Sequence, residues 1–594
     1  MAENILVCTA WPYANGDLHI GHLAGAYLPP DIFARYHRLW GNHVLMVSGS
    51  DSHGTPITLR ADAEGVSPLE VFERFHLRFL ETFQHIGITY DLFTHTDTEN
   101  HYRVSQDIFT ACLNNGYLYK HTEQQFYSET EGRFLADRYI EGTCPICGYD
   151  GARGDQCDNC KSLLDPTDLI NPRSKNDGST PILRETEHFY LDLRKLNEDI
   201  LEYLTDEKEH WRPNVINFSL QYARAGLKGR AITRDIEWGI PLPLPGYDDK
   251  RLYVWFEAVI GYLSASIEWA NNIGEPERWQ DWWYRAEAKT YYFIGKDNIP
   301  FHAVIWPAEL MATGRQLYAQ EHRQLLNLPY DVPANEYLNM EGEKLSTSRN
   351  WAIWAPDLLE RYDPDPIRFY LNAIAPESRD TDFTFADFIR RNNDELVAAW
   401  GNLVNRVLGF AYKRYNGQVP EIGPAGLDAA DQEILTNVAA GFKTVGELLA
   451  AVKLKAAQEE AMRLARLANV YLDGKAPWKV IKEDPALAGT SVYVTLRVID
   501  NLKILFAPFL PYSCQQLHEY LGYDGQLFGR QHTQPFTESN GRQHQVLCYD
   551  NSQAVGKWEP SQLAPGQRLR QPAPLFRKIE PEVAEQELAR LLNA

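Results

Sequence analysis

Two short apolar runs near the start, each ending where turn-forming or acidic residues begin, constrain this chain more than any other feature. ILVCTA (5–10) is followed by the turn-rich WPYANGD. HIGHLAGAY can then open a helix, and HVLMVSGSD (43–51) is a second apolar run ending in small and acidic residues. Apolar runs of this length bounded by turn signals read as strands buried on both faces. Strand, glycine-bearing loop, helix, strand is a βαβ unit, whose functional loops lie at the carboxyl ends of parallel strands. An apolar-strand pattern returns only at LYVWFEAVIGY (252–262) and YYFIGKD (291–297). The expected fold class is therefore α/β, a nucleotide-binding parallel sheet in two halves (1–117 and 234–330) split by an inserted module (118–233).

A different periodicity takes over further on. DELVAAWGNLVNRVLGFAYKRY, LLAAVKLKAAQEEAMRLARLANVYLD and SVYVTLRVIDNLKILFAPFLPY place apolar residues at three- and four-residue intervals, as amphipathic helices do. They predict an all-α domain over 387–540, preceded by a loop region (331–386) and followed by a tail (541–594). The stretch 540–580 is rich in Gln, Pro and Gly, and a last helix is expected over Pro581–Leu592. The 594 residues suggest about three to five domains. No window approaches the ~20 apolar residues of a membrane helix, and the first residues lack the basic flank and apolar core of a secretory signal. A cytoplasmic location is expected.

The net charge of −22 excludes a protein that binds nucleic acid nonspecifically through a basic surface. Specific binding through a local patch stays open. Residues 390–416 hold Arg390, Arg391, Arg406, Lys413 and Arg414 against Asp394 and Glu395, an excess of three positive charges (five minus two). That excess fits an RNA contact or a solvated helix face.

Four of the eight cysteines are spaced as two pairs, Cys144-Pro-Ile-Cys147 and Cys157-Asp-Asn-Cys160. Two CxxC turns present four thiolates to one tetrahedral zinc ion, and four thiolates leave no open position for water, so the metal would be structural. Two redox dithiols, or a coincidence of spacing, are the alternatives.

Two further motifs are weak alone. His19-Ile20-Gly21-His22 stands at a helix start behind a glycine loop, where free N–H groups and the dipole suit a triphosphate. Gly21 would let a nucleotide ring approach the backbone. Lys344-Leu345-Ser346-Thr347-Ser348 lies in NMEGEKLSTSRN, where a lysine-bearing loop can close over a polyphosphate. Equally, the first can be an ordinary helix start and the second a solvated connector.

In this order, more than three hundred residues apart, the two motifs resemble the HIGH and KMSKS signatures of class I aminoacyl-tRNA synthetases. WPYANG, SDSHGTP (50–56), YVWFEAVIGY (253–262), FIGKDNIPFH (293–302), NNDELVAAWGNLVNR (392–406), LANVYLDGKAPW (467–478) and PLFRKIEPE (574–582) extend the resemblance to the methionyl branch over nearly the whole chain. The leucyl, isoleucyl and valyl relatives carry a large editing insertion, for which this chain has little room.

The resemblance implies a Rossmann-type catalytic domain, a zinc-bearing insertion and a helical anticodon-binding domain. It implies activation of L-methionine with magnesium-bound ATP and transfer to tRNA(Met). His19, His22 and Lys344 would stabilise the leaving pyrophosphate, with Gly21, Ser346 and Ser348 contributing to the ATP site. Asp297 would hold the ribose hydroxyls. Tyr13, Trp255, Ala258, Tyr262 and His302 would surround the methionine side chain, where sulfur–aromatic contacts add about 0.3–1.5 kcal/mol. Asp51 would receive the substrate ammonium, and Arg234 would orient that carboxylate. Asn402, Arg406 and Trp478 would read the anticodon, Trp478 by stacking on a base. With the helical domain and tail consuming the remaining residues, no further dimerising domain is expected and a monomer is implied.

Three positions depart from the family pattern. Thr347 stands where a second signature lysine is usual, with Arg349 close by. Val259 replaces a common proline, and Asn298 occupies a position usually apolar. Two other readings stand beside this one: a nucleotidyltransferase using HxGH without tRNA, and a non-catalytic tRNA-binding relative.

Overall fold

The computed structural model describes residues 2–593 apart from 136–138, 155, 156, 158, 161–163, 165, 320–324 and 347–350. Strand β1 (Asn4–Thr9) is fully buried from Ile5 through Cys8. Both its faces are covered, Ile5 and Val7 packing into one core and Leu6 and Cys8 into another. That is why the run is continuously apolar. It pairs in parallel with β2 (His43–Ser50) on one side and β4 (Lys289–Gly295) on the other, Val7 aligning with both Met46 and Tyr291. Strands β3 (Leu92–His95) and β5 (Ala334–Asn335) extend the parallel sheet beyond β2 and β4. The sheet grows away from β1 in both directions, so the loops leaving β1 and β4 diverge and open a crevice at their carboxyl ends.

Helix α1 begins as Ile20–His22, passes through a π-helical turn (Leu23–Tyr27) and continues as Leu28–Trp40. Pro29 and Pro30 lack the N–H groups a regular α-helix would need there, and the widened turn accommodates them.

The expected strand at 252–262 is corrected. Only Arg251–Leu252 is extended, and Val254–Asn272 is a helix, α2. It is buried nearly all round between the sheet and its neighbours, so it has no polar face to show a helical period.

The inserted stretch starts on a long antiparallel pair, Leu118–Ser128 with Ile182–Leu191. Between them lies a small sheet of Ile140–Thr143, Asp150–Arg153 and Ile170–Ser174 that holds the clustered cysteines. The helical region packs as α3 (Asn402–Arg414), α4 (Ala429–Ala450), α5 (Leu454–Lys475) and α6 (Pro485–Phe506).

A second departure lies after it. Residues 530–537 were expected within the helical domain but form strand β6 (Arg530–Thr537), which hairpins into β7 (Gln543–Asp550). Strand β7 runs antiparallel along β3, giving the order β5-β4-β1-β2-β3-β7-β6. The last helix is Val583–Asn593.

Catalytic and helical parts are joined by a buried ion cluster. Arg368, fully buried, pairs with Asp31 of α1 at 2.6 Å and donates to the carbonyls of Gly87 and Pro508. Among the described residues, no helix is long and apolar enough to cross a membrane.

Candidate active site

The crevice beyond β1 and β4 is a cavity of about 950 Å³, lined by loop 10–19, the start of α1, Asp51, α2, Asp297, His302, Lys344 and Leu345. It brings together nearly all the residues expected from the sequence.

His19 is the N-cap of α1. Its Nδ1 accepts from the backbone N–H groups of Gly21 (3.1 Å) and His22 (3.3 Å), and its own N–H donates to His22 Nδ1 at 3.2 Å. The two rings stack 3.6 Å apart. Burial, and then the neighbouring His22, hold the His19 pKa well below the usual range, and burial holds His22 at about 4. Both are neutral near pH 7. With Nδ1 used as an acceptor, the proton of each ring sits on Nε2. The pair therefore offers two N–H donors and no positive charge.

Gly21 serves a purpose the sequence did not reveal. A Cβ there would lie 2.7 Å from Leu345 Cδ1 and 2.9 Å from His19 Cε1, so the missing side chain lets the second signature loop seat against the first. Backbone bonds fasten the two segments, Ile20 N–H to Ile353 O (3.0 Å) and Ala355 N–H to Leu18 O (2.7 Å). Lys344 is exposed at the cavity wall. Ser346 and Trp351 exchange two backbone bonds of 2.9 Å. Thr347, Ser348 and Arg349 lie outside the described residues. Asp297 follows β4 and accepts from the Tyr337 hydroxyl.

Asp51, also on the cavity lining, is 3% exposed and accepts from the His53 backbone N–H at 3.2 Å. Burial, and then the nearby Glu257, push its pKa well above the usual carboxylate range. A cation beside it would relieve that cost. Trp255 stacks on Phe301 at 4.2 Å and meets Tyr13 edge-on at 6.2 Å, and Ala258 lies on the same wall. Burial holds His302 at about 4. Its Nδ1 donates to the Asn298 carbonyl at 3.0 Å, which leaves Nε2 to accept from the Tyr262 hydroxyl at 2.7 Å. Tyr262 and His302 thus satisfy each other's polar atoms, and what they add to the wall is largely apolar. That carbonyl belongs to the Asn298 backbone, so the bond is independent of the side chain at this position.

Arg234 is placed differently from the expectation. Its guanidinium lies over the Tyr253 ring at 3.9 Å and donates to the Thr233 carbonyl, and it is not among the residues lining the cavity.

Trp11 and Glu257 were missed. Trp11 lines the cavity in a slot made by Gly49 and Gly261, where a side chain on either glycine would collide with the indole. Its position just past the end of β1 was the available signal. Glu257, fully buried, accepts from His53 Nδ1 (3.0 Å) and His101 Nε2 (2.7 Å). Burial opposes a charge on His53, but Glu257 and Asp97 outweigh it and raise His53 to about 10. An acid inside the apolar WFEAV was the clue.

Cys144, Cys147, Cys157 and Cys160 have sulfurs all within 4.8 Å of one another, with Cys144–Cys160 at 3.8 Å and Cys147–Cys157 at 3.6 Å. Four thiolates at about 2.3 Å from a tetrahedral zinc ion lie about 3.8 Å apart. The cluster could hold one such ion.

In the helical region, the Arg406 guanidinium lies over the Trp478 indole at 4.5 Å and pairs with Asp473 at 3.0 Å. Asn402 is exposed one turn before Arg406 on α3. The local charge excess is smaller than it reads, because Arg390 and Arg391 both pair with Asp387 and Arg391 also pairs with Glu395.

The family model described as "tRNA synthetases class I (M)" matches residues 5–408, and the "anticodon binding domain of methionyl tRNA ligase" matches 419–547. The chain is 57% identical to a methionine–tRNA ligase of Thermomicrobium roseum over 594 residues, covering 100% of this chain and 99% of that one. It is 56% identical to one of Chloroflexus aggregans, at 100% and 99% coverage. The fold matches the crystal structure of Mycobacterium tuberculosis methionyl-tRNA synthetase bound by methionyl-adenylate, with a TM-score of 0.75 at 24% identity, covering 97% of this chain and 100% of that one. With both family models matching in order along one chain, the protein belongs to the class I tRNA synthetases of the methionyl type.

Proposed function

We propose that the chain is a methionine–tRNA ligase: it activates L-methionine with ATP as methionyl-adenylate and transfers the methionyl group to the 3′ end of tRNA(Met). The observation that carries this is one cavity lined by three chemistries: neutral imidazole donors with Lys344, the Asp297 carboxylate, and Asp51 with an aromatic wall.

The methionine carboxylate oxygen attacks the α-phosphorus of magnesium-bound ATP, the bond to the bridging oxygen breaks, and pyrophosphate leaves. The carboxylate is already a nucleophile, so the protein's part is positioning and charge stabilisation. His19 and His22 donate Nε2–H to phosphate oxygens, and Lys344 supplies the cation. Asp297 accepts from the ribose hydroxyls. Asp51 neutralises the ammonium, and Tyr13, Trp255, Ala258, Tyr262 and His302 enclose the thioether. In the second step a terminal ribose hydroxyl attacks the acyl carbon and AMP leaves.

Cys144, Cys147, Cys157 and Cys160 hold one structural zinc ion, which cross-links the inserted module. Asn402, Arg406 and Trp478 contact the anticodon, the indole offering a stacking surface. We propose a cytoplasmic monomer with the domain limits set out from the sequence, moving the β6–β7 hairpin to the catalytic sheet. Ser348 and Arg234 are retained as candidates for the ATP phosphates and for orienting Asp51.

The test is Lys344→Ala in a rapid-quench assay of adenylate formation. The rate should fall by at least tenfold with little change in methionine affinity, since the charge acts as pyrophosphate leaves. Weakened methionine binding at a normal rate would reject this assignment of the loop.

A further inference from the structure

Asp51 stands just past β2, and much of what fixes its loop comes from the next loop along the sheet, 96–98 after β3. Ser52 N–H donates to the Thr96 hydroxyl at 2.9 Å, and Thr96 N–H donates to the Ser50 carbonyl at 3.0 Å. The Asp97 carboxylate lies 3.9 Å from His53 Nε2 and accepts from the Tyr102 hydroxyl at 2.8 Å. At its other ring nitrogen His53 meets Glu257 of α2, the helix that carries Trp255, Ala258 and Tyr262. The backbone N–H of the same residue donates to Asp51 Oδ1. His53 is thus the joint between the acid in the pocket and the pocket helix, and Asp97 sets one side of it.

The tip of the β6–β7 hairpin holds loop 96–98 in turn. Arg542 Nη2 pairs with Asp97 Oδ2 at 2.5 Å, Glu538 accepts from the Glu99 N–H at 2.9 Å, and the Ser539 hydroxyl donates to the Glu99 carboxylate at 2.7 Å. His544, two residues past Arg542, pairs with Glu268 farther along α2 at 3.1 Å. A segment 445 residues downstream of Asp97 therefore grips both the loop that orders Asp51 and the helix that walls the pocket. Charges alternate along the chain Arg542, Asp97, His53 and Glu257. Burial opposes a charge on His53, but Glu257 and Asp97 retain it, so each inner member lies between opposite charges. Arg542, Asp97 and His53 are not among the residues lining the cavity; they stand behind it.

We propose that Arg542 is a positioning residue for the amino-acid substrate: by fixing Asp97 it holds His53, and through His53 the Asp51 carboxylate that receives the methionine ammonium. The inference rests on the methionine-activation reading above and deepens it, making the hairpin near the end of the chain part of the amino-acid site. The Arg542 side chain is 37% exposed, so its ion pair adds little to stability. Its loss should be felt in the site rather than in the fold.

The experiment measures methionine-dependent ATP–pyrophosphate exchange by the full chain and by its Arg542→Gln, Arg542→Lys and Asp97→Asn variants, with Arg542→Gln also made in the Asp97→Asn background. Arg542→Gln should raise the KM for methionine roughly three- to thirtyfold, the range of coupling through a chain of contacts. The kcat and the KM for ATP should stay close to the parent's, as when substrate binding alone is weakened. Arg542→Lys keeps the charge and should recover most of the affinity. In the Asp97→Asn background, Arg542→Gln should add less than about twofold, because the two residues act along one path. Melting of the Arg542 variants should follow the parent's. An unchanged methionine KM in folded Arg542→Gln would overturn the proposal. So would a parallel rise in both KM values, which would make the hairpin a general brace, or an undiminished effect in the Asp97→Asn background. Absence of methionine-dependent exchange in the parent enzyme would instead reject the activation chemistry itself.

Discussion

Replacing Asp51 with Asn removes a charge while keeping the shape of the site, since the Asn oxygen can still accept from the His53 N–H. Asp51 is 3% exposed and lines the cavity beside Tyr13. A methionine ammonium bound there would lose its only proposed counter-charge. Removing one partner of a buried ion pair costs about 3–5 kcal/mol. The lower part of that range is roughly 150- to 500-fold in kcat/KM for methionine. The assay is ATP–pyrophosphate exchange over a methionine titration, with methioninol as a competitive inhibitor. Methioninol keeps the ammonium and lacks the carboxylate, so its inhibition constant should rise by a similar factor. The stability effect has the opposite sign. A carboxyl whose folded pKa is raised binds its proton more tightly in the folded state, so it withdraws stability as pH rises through that pKa. Asn has no such charge, and the variant should melt at the same temperature or higher at neutral pH. A folded variant whose methionine and methioninol constants change less than threefold would refute the assignment of Asp51.

Three other outcomes are expected. Cys157→Ser should reduce zinc from about one ion per chain, the stoichiometry of a four-thiolate site, and unchanged metal content would reject this ligand set. Arg368→Met leaves Asp31 with Arg35 alone and should destabilise the fold by ~3–5 kcal/mol in denaturant melts, without altering exchange per folded molecule. Burial works to raise the pKa of Asp31, but Arg35 and Arg368 outweigh it and hold it at about 2. In the parent that contribution is present above the unfolded value of about 4 and is lost as pH falls toward 2; the variant should lose less between those limits. Trp478→Ala should raise the KM for tRNA roughly 5- to 150-fold, the range of one base stack at about 1–3 kcal/mol, with exchange intact, and normal charging by a folded variant would place the anticodon contact elsewhere.

The strands flanking the site were legible because a sheet covered on both faces leaves uninterrupted apolar runs, as at Ile5–Cys8 and Tyr291–Ile294. Helix α2 was not, because the same all-round burial erases the helical period. The β6–β7 hairpin was hidden for a different reason. RQHTQPFT and QHQVLCYD are largely polar, and what makes them strands is their pairing with each other and the pairing of β7 with Leu92 and Phe93, some 450 residues earlier. Its consequence for the site was equally hidden: Arg542 pairs with Asp97 at 2.5 Å, and Asp97 is one of the acids that keep His53 charged. His19, Asp51, Trp255 and His302 could be named from motifs. That His19 and His22 are neutral donors, and that Gly21 seats Leu345, depends on packing that spacing alone does not encode.

The central claim is methionine activation in the cavity beyond β1 and β4, and amino-acid-dependent ATP–pyrophosphate exchange tests it most directly. With the purified chain, magnesium and ATP, methionine should support exchange, and leucine, isoleucine and valine should do so at least about a hundredfold less efficiently, because an aromatic wall that adds sulfur contacts also excludes branched chains. Exchange with leucine as fast as with methionine, or no exchange with any of the four, would contradict the account.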